Sequence, residues 1–395
     1  MSTNWTDPRS TIGGVATGDN FYPRDDIVED IWNELKKGNS VLLAAPRRVG
    51  KTSIMRYMEQ NPVENYKLIF ENIQGINSGD EFFERIYTML LTCLSRTQKA
   101  KNWFKNFKKS KTIKKIGKDG IEFENRPTDF WKAINDLLIK INRNQDIENI
   151  VLLLDELPEV LFNINKTNNK DAISILKKLR HWRQQPEMNK KVKFVLTGSV
   201  GIHYVVDRIE KRNSDLNDLS NVDFKALTDS EAHKYIDWAT QGATVTYTEK
   251  LKRYLLDKVQ YFVPYFINLL LDEINKKAKK TDNPKITAQS IDSAFDDILK
   301  HDNHFRDWKK RLQDYMPEQD FDFVNEILIQ TAHKGRVTLQ EIYGNAVKYS
   351  KTADYMNFIG DLEKDGYIVE VESEYRFVSP FLSAFWKKTN PIYNS

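Results

Sequence analysis

Apolar positions along the chain change their spacing near Phe224, and that change divides it. Before that point, helical and strand-like patterns alternate. Ile27, Ile31, Trp32 and Leu35 recur at helical spacing, and Gly38-Asn39 ends that helix. Ser40 to Ala44 is a short apolar run of the kind a buried parallel strand needs. Gly50 to Gln60 then predicts a helix and Lys67 to Phe70 a second strand. Phe82 to Leu94 and Phe130 to Ile141 predict amphipathic helices. Asn149 to Leu154 is the most apolar strand of the chain. Ala172 to Arg183 reads as helix and Lys193 to Thr197 as a further strand. Strands alternating with helices imply an α/β fold, a parallel sheet with helices on both faces.

From Thr228 to His301 the pattern is wholly helical. Thr228-x-x-Glu231 has capping-box spacing ahead of Ala232 to Trp238, and Pro284 and Thr287 precede a helix at Ile291 to Leu299. The charged stretch Arg306 to Asp320 reads as a connector. Helices follow at Phe321 to Thr331, Thr338 to Val347 and Ala353 to Lys364. Gly366 ends the third, ahead of strands Tyr367 to Val371 and Tyr375 to Val378. Three helices and a hairpin predict a winged helix-turn-helix. The expected organisation is a flexible tail over 1–20, an α/β core over 21–223 with a basic insertion at 100–124, a helical lid over 224–301, a connector over 302–320 and a winged helix over 321–390.

The length of 395 residues suits two or three domains. A chain 40% hydrophobic and 29% charged is globular rather than disordered. No apolar run approaches the roughly 20 residues that span a bilayer, and the polar N-terminus carries no signal-like apolar region. One cysteine, Cys93, excludes an internal disulfide and fits a reducing, cytoplasmic setting. Six histidines without HExxH-like spacing argue against a catalytic zinc. The net charge of +4 implies no partner by itself.

Chemistry concentrates after the first strand. Ala45-Pro46-Arg47-Arg48-Val49-Gly50-Lys51-Thr52 reads as a Walker A loop with alanine at its first glycine. Such a loop offers backbone N–H groups to phosphate oxygens, and the next helix presents its positive end. Lys51 would reach the β- and γ-phosphates, the Thr52 hydroxyl would hold Mg²⁺, and Ser53 completes the nucleotide-binding stretch. Ala45 precedes proline, which favours extended backbone and removes the need for glycine there. Gly-Lys-Thr alone is weak, but Val151 to Glu156 supplies a second motif. Its apolar strand delivers Asp155, to orient Mg²⁺, and Glu156, as general base towards water. The exit Thr197-Gly198-Ser199 places hydroxyls where a γ-phosphate sensor sits, or is simply a Gly-Ser turn.

On these residues the chain resembles the archaeal-type P-loop ATPases of the STAND branch, near the AAA+ and origin-recognition-like ATPases. The resemblance runs through Phe21 to Arg24, Ala45 to Thr52, Leu154 to Glu156, Leu196 to Ser199, Phe262 to Tyr265 and Tyr375 to Pro380. It implies an ATP- and Mg²⁺-binding core, a helical lid and a winged helix acting as a nucleotide-dependent switch. It further implies Arg24 near the nucleotide, Pro264 as the lid's sensing residue and Arg208 as the candidate trigger arginine. Two departures stand out. The lid glycine expected two residues before the proline is Phe262, and no arginine directly follows the strand ending at Thr197.

Lys101 to Lys118 holds eight lysines and no acid, with Trp103, Phe104 and Phe107 interleaved. Lysines neutralise phosphates and aromatics stack on bases, so this is a nucleic-acid or acidic-partner surface or, equally, a solvated insertion whose aromatics pack down. Thr112 to Phe123 reads as a hairpin. The third helix of the winged unit carries Asp354, Asp361 and Glu363 against Lys364, which favours a protein contact over DNA reading. Trp386, Lys387 and Lys388 offer a further phosphate contact. The partners expected are therefore ATP and a protein effector, with nucleic acid and homo-oligomers left open. Some relatives fuse a nuclease after the winged helix. If the output is destructive, as in antiviral defence, a separate partner supplies it.

Overall fold

The structure, a computed structural model, describes residues 5–96, 113–117, 120–123, 127–198, 201–210 and 214–393. It divides into two units. One comprises residues 23–44 and 51–224, the other residues 1–22, 45–50 and 225–395.

The first unit is built on five parallel strands: β1 (Val41–Ala44), β2 (Tyr66–Asn72), β5 (Asn149–Asp155), β6 (Val192–Gly198) and β7 (Ser220–Asn221). Their order is β2-β5-β6-β1-β7. Ile150 to Leu154 are fully buried, as a central strand covered on both faces requires. Around the sheet run α1 (Asp25–Lys36), α2 (Lys51–Gln60), α3 (Gly79–Arg96), α4 (Phe130–Arg143), α5 (Leu157–Thr167), α6 (Asn169–Gln184) and α7 (Gly201–Glu210). α1 buries Ile27, Ile31, Trp32 and Leu35, the four residues whose spacing predicts it. On edge strand β2 the Phe70 N–H donates to Glu59 of α2 at 3.0 Å, and Arg56 lies 3.8 Å over the Phe70 ring. Trp182 stacks on Trp131 at 5.0 Å and packs against Phe194 at 6.3 Å, joining two helices to β6. β3 (Ile113–Gly117) and β4 (Gly120–Phe123) pair antiparallel as the expected hairpin. The lysine-rich residues 101–112 and 118 lie outside the described residues.

The second unit is helical and then mixed. It contains α8 (Asp229–Thr240), α9 (Glu249–Val259), α10 (Pro264–Lys280), α11 (Ala288–Lys300) and α12 (Arg306–Tyr315). Thr228, Thr248 and Thr287 each cap a helix through the side-chain oxygen, and the Thr228–Glu231 capping box is present. The charged connector expected at 306–320 is thus largely helix. Trp308 and Leu312 of α12 are buried, and the Tyr367 hydroxyl donates to the Trp308 carbonyl at 2.9 Å. Phe266, Phe305 and Phe381 stack nearby, with Phe266–Phe381 centroids 5.7 Å apart.

Next come α13 (Glu318–Lys334), β8 (Val337–Thr338), α14 (Leu339–Lys348), α15 (Tyr355–Lys364), β9 (Ile368–Val371), β10 (Glu374–Phe377) and α16 (Pro380–Thr389). The three short strands form a sheet in the order β8-β10-β9. Trp386, expected to be available to a phosphate backbone, is fully buried and donates from Nε1 to Asn325 at 3.2 Å. Lys388 instead closes the end of α11, donating to the Lys300 carbonyl at 3.0 Å. The start of the chain is tied down rather than free. Trp5 Nε1 donates to Asn275 at 3.0 Å, Arg9 N to the Ala239 carbonyl at 2.7 Å, and Tyr22 meets Tyr235 edge-on at 5.0 Å. Its polar residues find fixed partners on α8 and α10, which a reading of composition alone does not reveal.

One close approach fixes how β6 meets α5. A Cβ added at Gly198 would stand 2.3 Å from Cγ and 2.6 Å from Cδ of Pro158, a rigid ring. Gly198→Ala should therefore cost about 1–3 kcal/mol of stability through overpacking. Chemical denaturation of the purified protein measures it, and an unchanged midpoint would refute the contact.

Candidate functional site

β1 ends at Ala44 and α2 begins at Lys51, so the Walker A stretch is the turn between a buried strand and a helix N-terminus. Within it, positive φ falls on Arg48 (φ 65) and Gly50 (φ 105), and not on Ala45. The replaced glycine thus sits where any residue is tolerated, and the left-handed backbone is taken by Gly50 and, with strain, by Arg48. Ala45 and Val49 are buried. The side chains of this loop pack with the C-terminal residues. The Arg48 guanidinium lies 4.5 Å over the Tyr265 ring and 3.7 Å from Asp307, and Arg47 donates to the Asp307 carbonyl at 3.5 Å. A Cβ at Gly366 would meet Pro46 at 3.0 Å.

In the sheet unit, three side chains converge through their oxygens. Thr52 Oγ1 donates to Asp155 Oδ2 at 2.6 Å, and Thr197 Oγ1 donates to Asp155 Oδ1. The strand order explains this. β6 lies between β1 and β5, with Leu43 opposite Thr197 and Leu196 opposite Leu154. The hydroxyl at the end of β6 therefore points at the carboxylate ending β5. Asp155 is 2% exposed and Thr197 is fully buried. Burial pushes the Asp155 carboxyl above its ordinary value. The two hydroxyls hold it back, the Glu156 charge adds to the rise, and the Lys51 charge offsets part of it. Lys51 itself is 8% exposed, and Ser53 is buried on the same helix.

Glu156 holds a left-handed backbone (φ 65, ψ 35) at the start of α5, and its side chain makes no capping bond there. A glutamate in this region is strained by about 1–2 kcal/mol. Pro158 follows in the first turn, pressed on Gly198, so the turn bearing Glu156 is held by packing. The remaining expected residues are dispersed. Arg24 is buried, 3.4 Å from Asp26 and 5.6 Å from the Phe224 ring. Arg208 is exposed on α7 with its guanidinium 5.5 Å from the Tyr204 ring. Pro264 opens α10, beside Tyr265. Ser199 lies outside the described residues. Thr197 supplies a hydroxyl to Asp155, and Tyr265 and Asp307 are the partners of Arg48. The threonine's signal was its position as the last polar residue before the Gly-Ser exit.

A threonine hydroxyl, a carboxylate and a second hydroxyl are hard oxygen donors, which fits Mg²⁺ rather than a softer metal. Among the described residues no group of three or more His, Cys, Asp and Glu forms an all-protein metal cage.

A carboxyl whose folded pKa is raised opposes folding once it ionises. The penalty is absent below the ordinary value of 3.8, grows as the pH rises through the raised folded value, and is complete above it. Asp155→Asn should thus raise the melting temperature of the metal- and nucleotide-free protein at neutral pH, since the amide oxygen still accepts from one hydroxyl and the other hydroxyl can turn to accept from the amide NH2. The gap to wild type should close as the pH falls towards the ordinary value, which thermal melts across pH would show.

No protein-family model matches the chain, and no curated protein matches it. Solved structures do. A Walker-type ATPase of Pyrococcus abyssi aligns over 95% of this chain and 99% of its own, with a TM-score of 0.63 and 15% identity. The ORC2 protein of Aeropyrum pernix, in ADPNP–ADP complexes, aligns over 95% of this chain and 98% of its own, with a TM-score of 0.54 and 12% identity. At such identities the likeness is one of fold. Among the described residues no helix is long and apolar enough to cross a membrane. The chain has the parallel-sheet α/β fold of these P-loop ATPases, followed by a largely helical C-terminal half.

Proposed function

We propose that this chain binds ATP with Mg²⁺ and hydrolyses it slowly, acting as a STAND/AAA+-type switch that passes its nucleotide state to a partner. The carrying observation is the buried Asp155 carboxylate, bracketed by the Thr52 and Thr197 hydroxyls beside Lys51 at a helix N-terminus. A carboxylate desolvated in this way with only hydroxyl donors is poised for a cation.

In this reading Thr52 and Asp155 hold Mg²⁺, which when bound neutralises phosphate charge. Lys51 and the loop N–H groups from Ala45 to Gly50 bind the phosphates, with Ser53 on the same helix. Thr197 fixes the Asp155 carboxylate. Glu156 takes the proton of the attacking water. Arg47 and Arg48 connect the loop to Asp307 of α12 and to Tyr265 beside Pro264, so phosphate binding competes for the same guanidinium groups. That competition lets the nucleotide be felt by the helical residues. Arg24 and Arg208 retain no specific support beyond the resemblance. The elements from α13 to β10 follow the order of a winged helix, and residues 321–390 serve as the output part of the switch. An antiviral setting is one destructive output such a switch could control through a separate effector.

The reading as an ATP-regulated DNA-binding protein rests on residues 101–118 and on the winged unit. In the latter, Lys351 is engaged by Asp320 at 2.5 Å and Lys388 by helix carbonyls, which favours a protein partner.

Purified protein with ATP and Mg²⁺ provides the test. Lys51→Ala should weaken ATP binding at least about tenfold, or 1.4 kcal/mol. Glu156→Gln should keep ATP binding and lower turnover by about a hundredfold or more, the usual contribution of a general base. An unchanged turnover in Glu156→Gln sinks the assigned base. Asp307→Ala should free Arg48 and tighten ATP binding by severalfold, read by titration calorimetry.

A further inference from the structure

Residues 5–14 run along α10 against its direction, and the bonds fix their path. Asp7 pairs with Lys279 at 3.2 Å, in the last turn of α10. Trp5 Nε1 donates to Asn275 Oδ1 at 3.0 Å, and Asn275 Nδ2 donates to Asp7 Oδ1 at 2.9 Å. Two turns nearer the helix start, Asn268 Nδ2 donates to the Thr11 carbonyl at 3.2 Å. One turn further on stands Tyr265, whose ring carries the Arg48 guanidinium. There a Cβ added at Gly13 would stand 3.3 Å from Arg48 Nη1. The segment is therefore a strap that starts at the end of α10 and finishes on the turn between β1 and α2.

The helices are made to receive it. Asn268 and Asn275 lie seven residues apart, on one face of α10, and each is only 4% exposed among apolar neighbours. The Asn268 oxygen accepts from the Tyr235 hydroxyl of α8 at 2.9 Å, while its amide N–H turns to the strap. Without the strap both buried amides lose donor partners, and buried polar groups are costly to leave unpaired. α8 depends on it as well. The Ala239 carbonyl, in the last turn, accepts from the Arg9 N–H at 2.7 Å, which closes one open carbonyl of that helix end. Thr6 and Thr244 exchange two further bonds, at 2.8 and 2.9 Å.

The residue at the strap's far end gives it a role. The Arg48 side chain is 22% exposed and is enclosed from three directions. The Tyr265 ring takes its face, Asp307 lies 3.7 Å from Nη2, and Gly13 stands at Nη1. Gly13 has φ +77, a backbone that glycine adopts without strain, and its missing Cβ leaves room for the guanidinium. Arg48 itself holds φ 65, where an arginine is strained, so the conformation of this turn depends on what keeps its side chain in place.

We propose that residues 5–14 are a positioning strap that keeps the Arg48 guanidinium on Tyr265 and Asp307, and so holds down the affinity of the turn for nucleotide until the strap is released. This names a regulation of the site proposed above and rests on that reading. Gly13 acts through Arg48. The bonds to Asn268 and Asn275 set where Gly13 lies, so loosening the far end of the strap releases the same arginine.

Two variants of the full chain test this, Gly13→Ala at the near end and the Trp5→Ala, Asp7→Ala pair at the far end. In the nucleotide-free protein, both should speed hydrogen exchange of the Arg47 to Gly50 amides about tenfold, with Leu152 to Leu154 unchanged. Both should tighten ATP binding severalfold by titration calorimetry. In an Arg48→Ala background neither should change ATP affinity, because the group they act through is gone. A strap that served only stability would shift affinity equally in both backgrounds. Unchanged exchange in both variants, weaker ATP binding, or an undiminished effect with Arg48→Ala each overturn the proposal. Failure of the wild-type chain to bind ATP would overturn the switch reading and the regulation with it, whereas unchanged exchange removes the strap alone.

Discussion

A single buried carboxylate organises the sheet edge of this protein. Asp155 lies at the end of its most apolar strand, where water cannot reach it, and two threonine hydroxyls supply the hydrogen bonds that water would have made. Hydroxyl donors satisfy its geometry without cancelling its charge. The arrangement therefore stores an unfavourable charge at the C-terminal edge of a parallel sheet, where ligands bind in open α/β folds. The neighbouring features follow from it. β6 must separate β1 from β5 so that Thr197 can reach it, Gly198 must be small so that Pro158 can turn the chain, and Glu156 takes a strained backbone because that turn begins there.

The loop before α2 has a second allegiance. Its backbone continues from β1 into α2, yet its side chains are engaged by α10, α12 and the turn at Gly366. The Arg48 guanidinium is held by a ring and a carboxylate. A loop under two such claims has a conformation that depends on what it binds.

Much of this was legible in the sequence, because the strands are long apolar runs and the helices carry strong periodicity and capping residues. Val151 to Leu154 could hardly be anything but a central strand, and its carboxylates were located with it. Three features were not legible for identifiable reasons. α12 hid behind its charges, although Phe305, Trp308 and Leu312 carry a helical spacing that outweighs them. Trp386 looked like a surface aromatic because α16 follows a hairpin, and only packing against Asn325 shows that it is core. The partners of Arg48 depend on contacts more than two hundred residues apart in sequence, which no local pattern encodes. Arg208 is the nearest arginine downstream of β6, and its guanidinium lies over the Tyr204 ring.

Inserting β6 between β1 and β5 also governs the order in which the chain can acquire its structure. Ser40 Oγ accepts from the Phe194 N–H across 154 residues, and β1 gains its neighbour only when β6 exists. During synthesis from the N-terminus, the turn after β1 emerges early and then waits for most of the sheet before its strand is paired. Such long-range closure is slow and leaves apolar strand edges open in the meantime. The turn between β1 and α2 therefore reaches its native setting late, together with the middle of the sheet.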